Sequence, residues 1–93
     1  MSQWKVKFTF EGEENLDRLD TQIRKRVIEK IFWLRNNLDQ IIPLPLGGKW
    51  QGFFKLRVGD WRVIYEIENL KKQIIVHYID RRDKIYKIRK PQS

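Results

Sequence analysis

Residues 54–65 read Phe54-Lys55-Leu56-Arg57-Val58-Gly59-Asp60-Trp61-Arg62-Val63-Ile64-Tyr65. Two runs of alternating character flank a Gly-Asp pair, the signal of a β-hairpin with a two-residue turn led by glycine. Such a turn sets the register, so that Val58 faces Trp61, Arg57 faces Arg62, Leu56 faces Val63 and Lys55 faces Ile64. One face then carries Phe54, Leu56, Val58, Trp61, Val63, Tyr65 and Ile67, a continuous apolar surface that helices can cover. The other carries Lys55, Arg57 and Arg62. Like charges directly opposite on a sheet are destabilising, so packing alone gives no reason to set Arg57 against Arg62. An anion site gives one, although long arginines can also splay into water at little cost.

Working outward, residues 3–10 alternate without error, with Trp4, Val6, Phe8 and Phe10 on one side, and predict a half-buried strand that Gly12 breaks. Glu11, Glu13 and Glu14 before Leu16 and Leu19 suit the first turn of a short helix. Asp20 or Thr21 can cap a second helix, whose Ile23, Val27, Ile31, Leu34 and Leu38 draw one apolar stripe. Residues 41–48, with two prolines and a glycine pair, predict a connecting loop that packs down. After the hairpin, Asn69–Lys72 is a polar turn, Gln73–Asp80 a further strand, and a basic tail closes the chain. The order β-α-α-β-β-β predicts an α+β fold with two N-terminal helices on one face of a four-stranded, mostly antiparallel sheet, the first strand beside the last.

At 93 residues there is room for one core. Twelve aromatic residues are too many for a disordered basic tail, so the net charge of +8 sits on a folded body. Residues 1–49 hold nine Lys/Arg against seven Asp/Glu, whereas residues 50–93 hold eleven against five. The charge is steepest from Arg81 to Lys90, where six cations meet the single acid Asp83. This is the footprint of a polyanion partner, nucleic acid first, or of a surface charged for solubility only. The absence of cysteine excludes disulfides, thiolate catalysis and thiolate zinc sites. One histidine, His77, leaves no His–His pair for acid–base work, and its place within the last strand suits a hydrogen-bonded structural role. The N-terminus lacks the apolar stretch of a secretory signal and no window approaches the roughly 20 apolar residues of a membrane span, so the expectation is a cytoplasmic protein without a membrane partner.

Two features of the basic face bear on chemistry. A guanidinium can hold a phosphate bidentately, and crowding by cations favours the neutral amine of a lysine, which makes Lys55 a candidate proton acceptor. Phe53, on the same face, can stack a base. Trp50, beside Lys49, can stack a base or anchor the loop. Tyr86 can pack on the body or serve the site.

The hairpin string resembles the central hairpin of the RelE/ParE toxin superfamily, in which an L-R-x-G-D-(aromatic)-R-(aliphatic)-(aliphatic)-Y pattern recurs. Ile79-Asp80-Arg81-Arg82-Asp83-Lys84-Ile85-Tyr86-Lys87 resembles the closing segment, where a basic pair precedes a tyrosine. The order of elements agrees, so the resemblance spans nearly the whole chain. It implies one RelE-like toxin domain over residues 1–93 with a basic C-terminal segment at 81–93. It implies a toxin of a type II toxin–antitoxin system that cleaves mRNA in the ribosomal A site without a metal ion or other cofactor. The RNA's own 2′-hydroxyl attacks the adjacent phosphate, leaving a 2′,3′-cyclic phosphate. The implied partners are a cognate antitoxin, held in a hetero-oligomer, and mRNA with the ribosome and its 16S rRNA.

Matched by position, the resemblance assigns Arg62 to the developing phosphorane charge, Arg82 to clamping the phosphate, Lys55 to the hairpin's other basic position and Tyr86 to proton transfer or base stacking. Arg57 and Arg81 fall to phosphate binding, with Phe53, Lys49 and Lys84 as further RNA contacts. Many relatives carry a second lysine where this chain has Phe53, and some a histidine near Arg81. The general base is therefore open between Lys55 and Tyr86. The superfamily's ParE-like members poison DNA gyrase instead, and a catalytically weak RNA-binding module is a third reading.

Overall fold

The computed structural model describes residues 3–87. Its elements are β1 (Lys5–Phe8), α1 (Phe10–Arg18), α2 (Thr21–Asn37), β2 (Leu44–Pro45), β3 (Phe54–Val58), β4 (Trp61–Glu68), β5 (Gln73–Arg81) and the single turn α3 (Arg82–Ile85). Short 3-10 turns occupy Leu38–Gln40 and Gly48–Trp50. The strands form one sheet in the order β1-β5-β4-β3-β2. β1 runs parallel to β5 and the other pairs are antiparallel. The fold is α+β, with α1 and α2 on one face of the sheet.

Five strands replace the expected four. The loop at 41–48 packs down by pairing Leu44 with Lys55 and Pro45 with Phe54. Proline is tolerated there because β2 is the edge strand, so its missing N–H costs no ladder bond.

The first strand is shorter than its alternation suggests. Thr9 leaves the strand to cap α1, its Oγ1 accepting from Gly12 N at 3.1 Å. Phe10 therefore begins a helix and is 74% exposed rather than sharing the buried side with Trp4. Gly12 does not break a strand; it lies inside α1, where a β-carbon would stand 2.4 Å from Val76 O. α2 follows its pattern closely. Asp20 accepts from Gln22 N and Ile23 N at 3.0 and 3.1 Å, and Val27, Ile31 and Leu34 are buried with Leu38 just beyond the helix end.

β5 carries a feature that the sequence reading lacks. Ile64 pairs with Tyr78 but Tyr65 with Val76, so His77 is the extra residue of a β-bulge. The bulge restores alternation, keeping Val76 and Ile79 both in the core. α1 satisfies the backbone it disrupts: Asn15 Oδ1 accepts from Ile79 N at 2.9 Å, and Thr9 Oγ1 stands 3.4 and 3.3 Å from Val76 O and His77 O.

The main core joins Val27, Ile31 and Leu34 of α2 to Leu56, Val63, Tyr65, Ile74 and Val76 of the sheet. Burial pushes the Tyr65 hydroxyl up to about 12, because the phenolate is denied water. A second, smaller cluster of Trp50, Phe53, Ile64 and Ile85 lies on the opposite face.

Replacing Gly12 with alanine ordinarily adds about 1 kcal/mol of helix propensity. Here the close approach to Val76 O reverses the sign, and Gly12→Ala is expected to lower the thermal midpoint by at least about 5 °C. An unchanged melting curve by circular dichroism would contradict that approach. Tyr65 yields a second expectation. Its folded value lies above its unfolded one, so its contribution is complete below about pH 10 and is lost as pH rises toward 12. Denaturant titrations from pH 9 to 12 should show wild type losing stability relative to Tyr65→Phe; parallel curves would refute this.

Candidate functional site

The hairpin register is the expected one: Lys55 with Ile64, Leu56 with Val63, Arg57 with Arg62 and Val58 with Trp61. Gly59 adopts φ +60, a conformation favourable to glycine, at the head of the two-residue turn. Arg57 and Arg62 are thus side by side on the face away from α1 and α2. Across the next ladder Arg62 is in register with Asp80, whose Oδ1 accepts from Arg81 N at 2.7 Å. Asp80 is the site residue that sequence reasoning missed, since its register with β4 depends on the bulge at His77.

Arg62 is held rather than splayed. Its Nη1 donates to Gly59 O and Trp61 O, each at 2.8 Å, while Nε and Nη2 keep donors with no partner among the described residues. A guanidinium fixed on one edge and open on another is preorganised for an oxyanion.

The closing segment reaches the same face through its backbone. Arg82 N donates to Asp60 O at 2.8 Å, tying the start of α3 to the hairpin turn. Ile85, fully buried in the second core, anchors α3 on β4. Tyr86 follows, 40% exposed, and Lys55 Nζ lies 6.0 Å from its ring centre. That is the outer limit of a cation–π contact. Lys55, Arg57, Arg62 and Tyr86 therefore share one face, with Arg82 exposed at its margin.

Other expected residues fall elsewhere. Arg81 pairs with Trp61, which directs it to the opposite face from Arg62, and its Nε stands 3.9 Å from Asp83 Oδ1 in an exposed pair. Lys49 and Lys84 are exposed, with no contact to the cluster among the described residues. Phe53 is corrected: it is 8% exposed, edge-on to Trp50 at 5.7 Å and to His77 at 5.1 Å, so its ring belongs to the second core and offers no face to a base. Trp50 is likewise buried and anchors the loop. His77 has the structural role expected, its Nε2 2.8 Å from Glu66 Oε1. Tyr78 packs edge-on against Trp50, and burial, then the charge of Glu11, raises its hydroxyl above the ordinary value. Tyr65 packs in the main core and Tyr78 against Trp50, leaving Tyr86 as the tyrosine beside the cations. Among the described residues no three His, Asp or Glu side chains cluster to hold a metal ion.

Residues 6–86 match the family model described as the ParE toxin of type II toxin–antitoxin systems. The chain belongs to that family, within the RelE/ParE superfamily. The toxin–antitoxin complex RelBE2 of Mycobacterium tuberculosis contains a chain 26% identical, with a TM-score of 0.76 over 85% of this chain and 98% of that one. The archaeal RelE–RelB complex of Pyrococcus horikoshii gives 24% identity and a TM-score of 0.67, over 86% and 96%. A free RelE mutant of E. coli gives 17% and 0.73, over 92% and 90%. No curated protein matches the chain, and none of its described helices is long and apolar enough to cross a membrane.

Proposed function

We propose that this toxin is an endoribonuclease that cleaves mRNA, within the ribosomal A site, by attack of the RNA's own 2′-hydroxyl. The observation that carries this reading is the convergence of Lys55 and Tyr86 beside the Arg57–Arg62 pair on one sheet face. The substrate brings the nucleophile, so the protein has only to bind the phosphate, take one proton and give one. The 2′-oxygen forms a bond to phosphorus as its proton passes to a base, Lys55 or Tyr86. The bond from phosphorus to the 5′-oxygen breaks, and that oxygen receives a proton from whichever of Lys55 and Tyr86 is not the base. The products are a 2′,3′-cyclic phosphate and a 5′-hydroxyl.

Between these states two negative charges gather on the phosphorane oxygens. Arg62, prefixed on the turn carbonyls, meets that charge with Nε and Nη2, while Arg57 and Arg82 bind the flanking phosphates. Among sequences, the match to a ParE family model favours a second reading, inhibition of DNA gyrase without cleavage. The site favours the first, because gyrase binding has no use for a lysine and a tyrosine set together among arginines.

Arg62→Ala is expected to lower cleavage by about a hundredfold or more while the fold survives. The check is to map 5′-hydroxyl ends on a translated message after induction of each form. New ends within codons for wild type and none for the variant support the proposal; growth arrest with intact messages and damaged DNA supports the gyrase reading.

A further inference from the structure

The helical side of the molecule carries an apolar groove that the basic face does not use. Val6 and Phe8 of β1, Leu16 of α1 and Ile28, Ile31 and Phe32 of α2 line it, around a volume of about 230 Å³. Pockets that enclose small ligands run to roughly 300–1,000 Å³, so this one suits a side chain or two from another protein surface. Phe32 at its rim is 47% exposed. Phe10, at the start of α1 and two residues beyond Phe8, is 74% exposed. Phenyl rings kept in water next to an apolar groove mark a surface for contact.

Charge decides what covers it. At about 3.6 residues per turn, Phe10, Glu13 and Asp17 share one stripe of α1, while Lys25, Ile28, Phe32 and Arg35 share one stripe of α2. The first stripe is an apolar knob flanked by acids. The second is the wall of the groove flanked by bases, with the Arg35 guanidinium 5.0 Å from the Phe32 ring centre. Every copy of the chain carries both, so a two-fold contact joins each stripe to its complement twice. The chain has a net charge of +8, yet α1 sets four acids against the single base Arg18. A second copy therefore meets least repulsion along α1.

The neighbouring strand edge is a poorer route to association. Lys5 N and Thr9 N donate to Lys72 O and Val76 O at 2.9 and 3.0 Å, so Val6 and Phe8 between them turn their backbone groups outward from the sheet. Pairing with a copy there would bring Lys5 and Lys7 against the same two lysines. Like charges across a ladder are unfavourable, and lysine on an edge strand is a common guard against such pairing.

We propose that two copies of this chain associate about a two-fold axis through their helical sides, with Phe10 of each protomer entering the other's groove between Ile28 and Phe32. Glu13 and Asp17 then stand against Lys25 and Arg35 across the interface. Arg57, Arg62 and Lys55 lie on the face away from α1 and α2, so the dimer leaves both basic faces open. The inference goes beyond the nuclease reading and holds or fails independently of it.

The test is sedimentation equilibrium of the purified full chain, free of any other protein. Wild type should dimerise with a dissociation constant of about 10 μM or tighter. Phe10→Asp, a change at an exposed position, should weaken the dimer at least about tenfold while melting like wild type. Two charge-reversed forms, Glu13→Lys with Asp17→Lys and Lys25→Glu with Arg35→Glu, should each be monomeric alone. Mixed together they should form a heterodimer, because both contacts then join opposite charges. A wild type that stays monomeric at concentrations about tenfold above that constant would overturn the proposal. So would a dimer that Phe10→Asp leaves intact, which would assign association to the β1 edge or the basic face, or folded charge-reversed forms that do not recombine. If the reversed forms fold poorly, wild type and Phe10→Asp decide, since one carries no substitution and the other alters a ring that stands in water.

Discussion

The two-residue turn at Gly59–Asp60 is the constraint on which the site depends. Gly59, at φ +60, lets the strands reverse in two residues and so sets Arg57 against Arg62. Its carbonyl then takes a hydrogen bond from the Arg62 guanidinium, and the next carbonyl, of Asp60, takes the backbone N–H of Arg82. One reversal thereby fixes the register, the arginine and the arrival of the closing segment. A slip of one residue would turn one strand's faces over relative to the other, setting Arg57 opposite Val63 or Leu56 opposite Arg62. Burial of Leu56, Val58 and Val63 forbids that slip.

The bulge at His77 does for β5 what the turn does for the hairpin. Without it, Val76 and Ile79 would point to opposite faces, and Asp80 would not stand opposite Arg62. The cost of an irregular ladder is offset by α1, whose Asn15 and Thr9 side chains engage the backbone around it. The close approach of Gly12 to Val76 lets α1 come near enough to do so. A residue choice in the first helix thus bears on register in the site, through one strand.

Local chemistry made the hairpin legible: a Gly-Asp pair between alternating runs specifies turn, register and faces together. α2 was legible for the same reason, with its cap at Asp20 and its stripe through Val27, Ile31 and Leu34. What escaped depends on contacts distant in sequence. Nothing local distinguishes Thr9 in a strand from Thr9 as a cap, and Phe10 extends the alternation by coincidence. Leu44–Pro45 becomes a strand only because β3 is there to receive it. Arg81 and Arg82 read as a pair in sequence, yet the ladder ends between them, so Arg81 follows Trp61 to the far face while Arg82 enters α3. Asp80 could be recognised only once the bulge was known.

Phe53 shows how packing and chemistry trade at this site. Relatives that carry lysine at this position have a cation where this chain has a ring buried between Trp50 and His77. An ammonium there would lose its hydration without a carboxylate to replace it, apart from Glu66, which His77 already engages. The second core as built therefore has no place for a lysine. What it holds is Ile85, and through Ile85 the turn of helix that brings Tyr86 to Lys55. Phe53 supplies packing under the turn that carries Tyr86 rather than a charge, and in the proposed reaction proton transfer then rests on Lys55 and Tyr86, with no second lysine to share it.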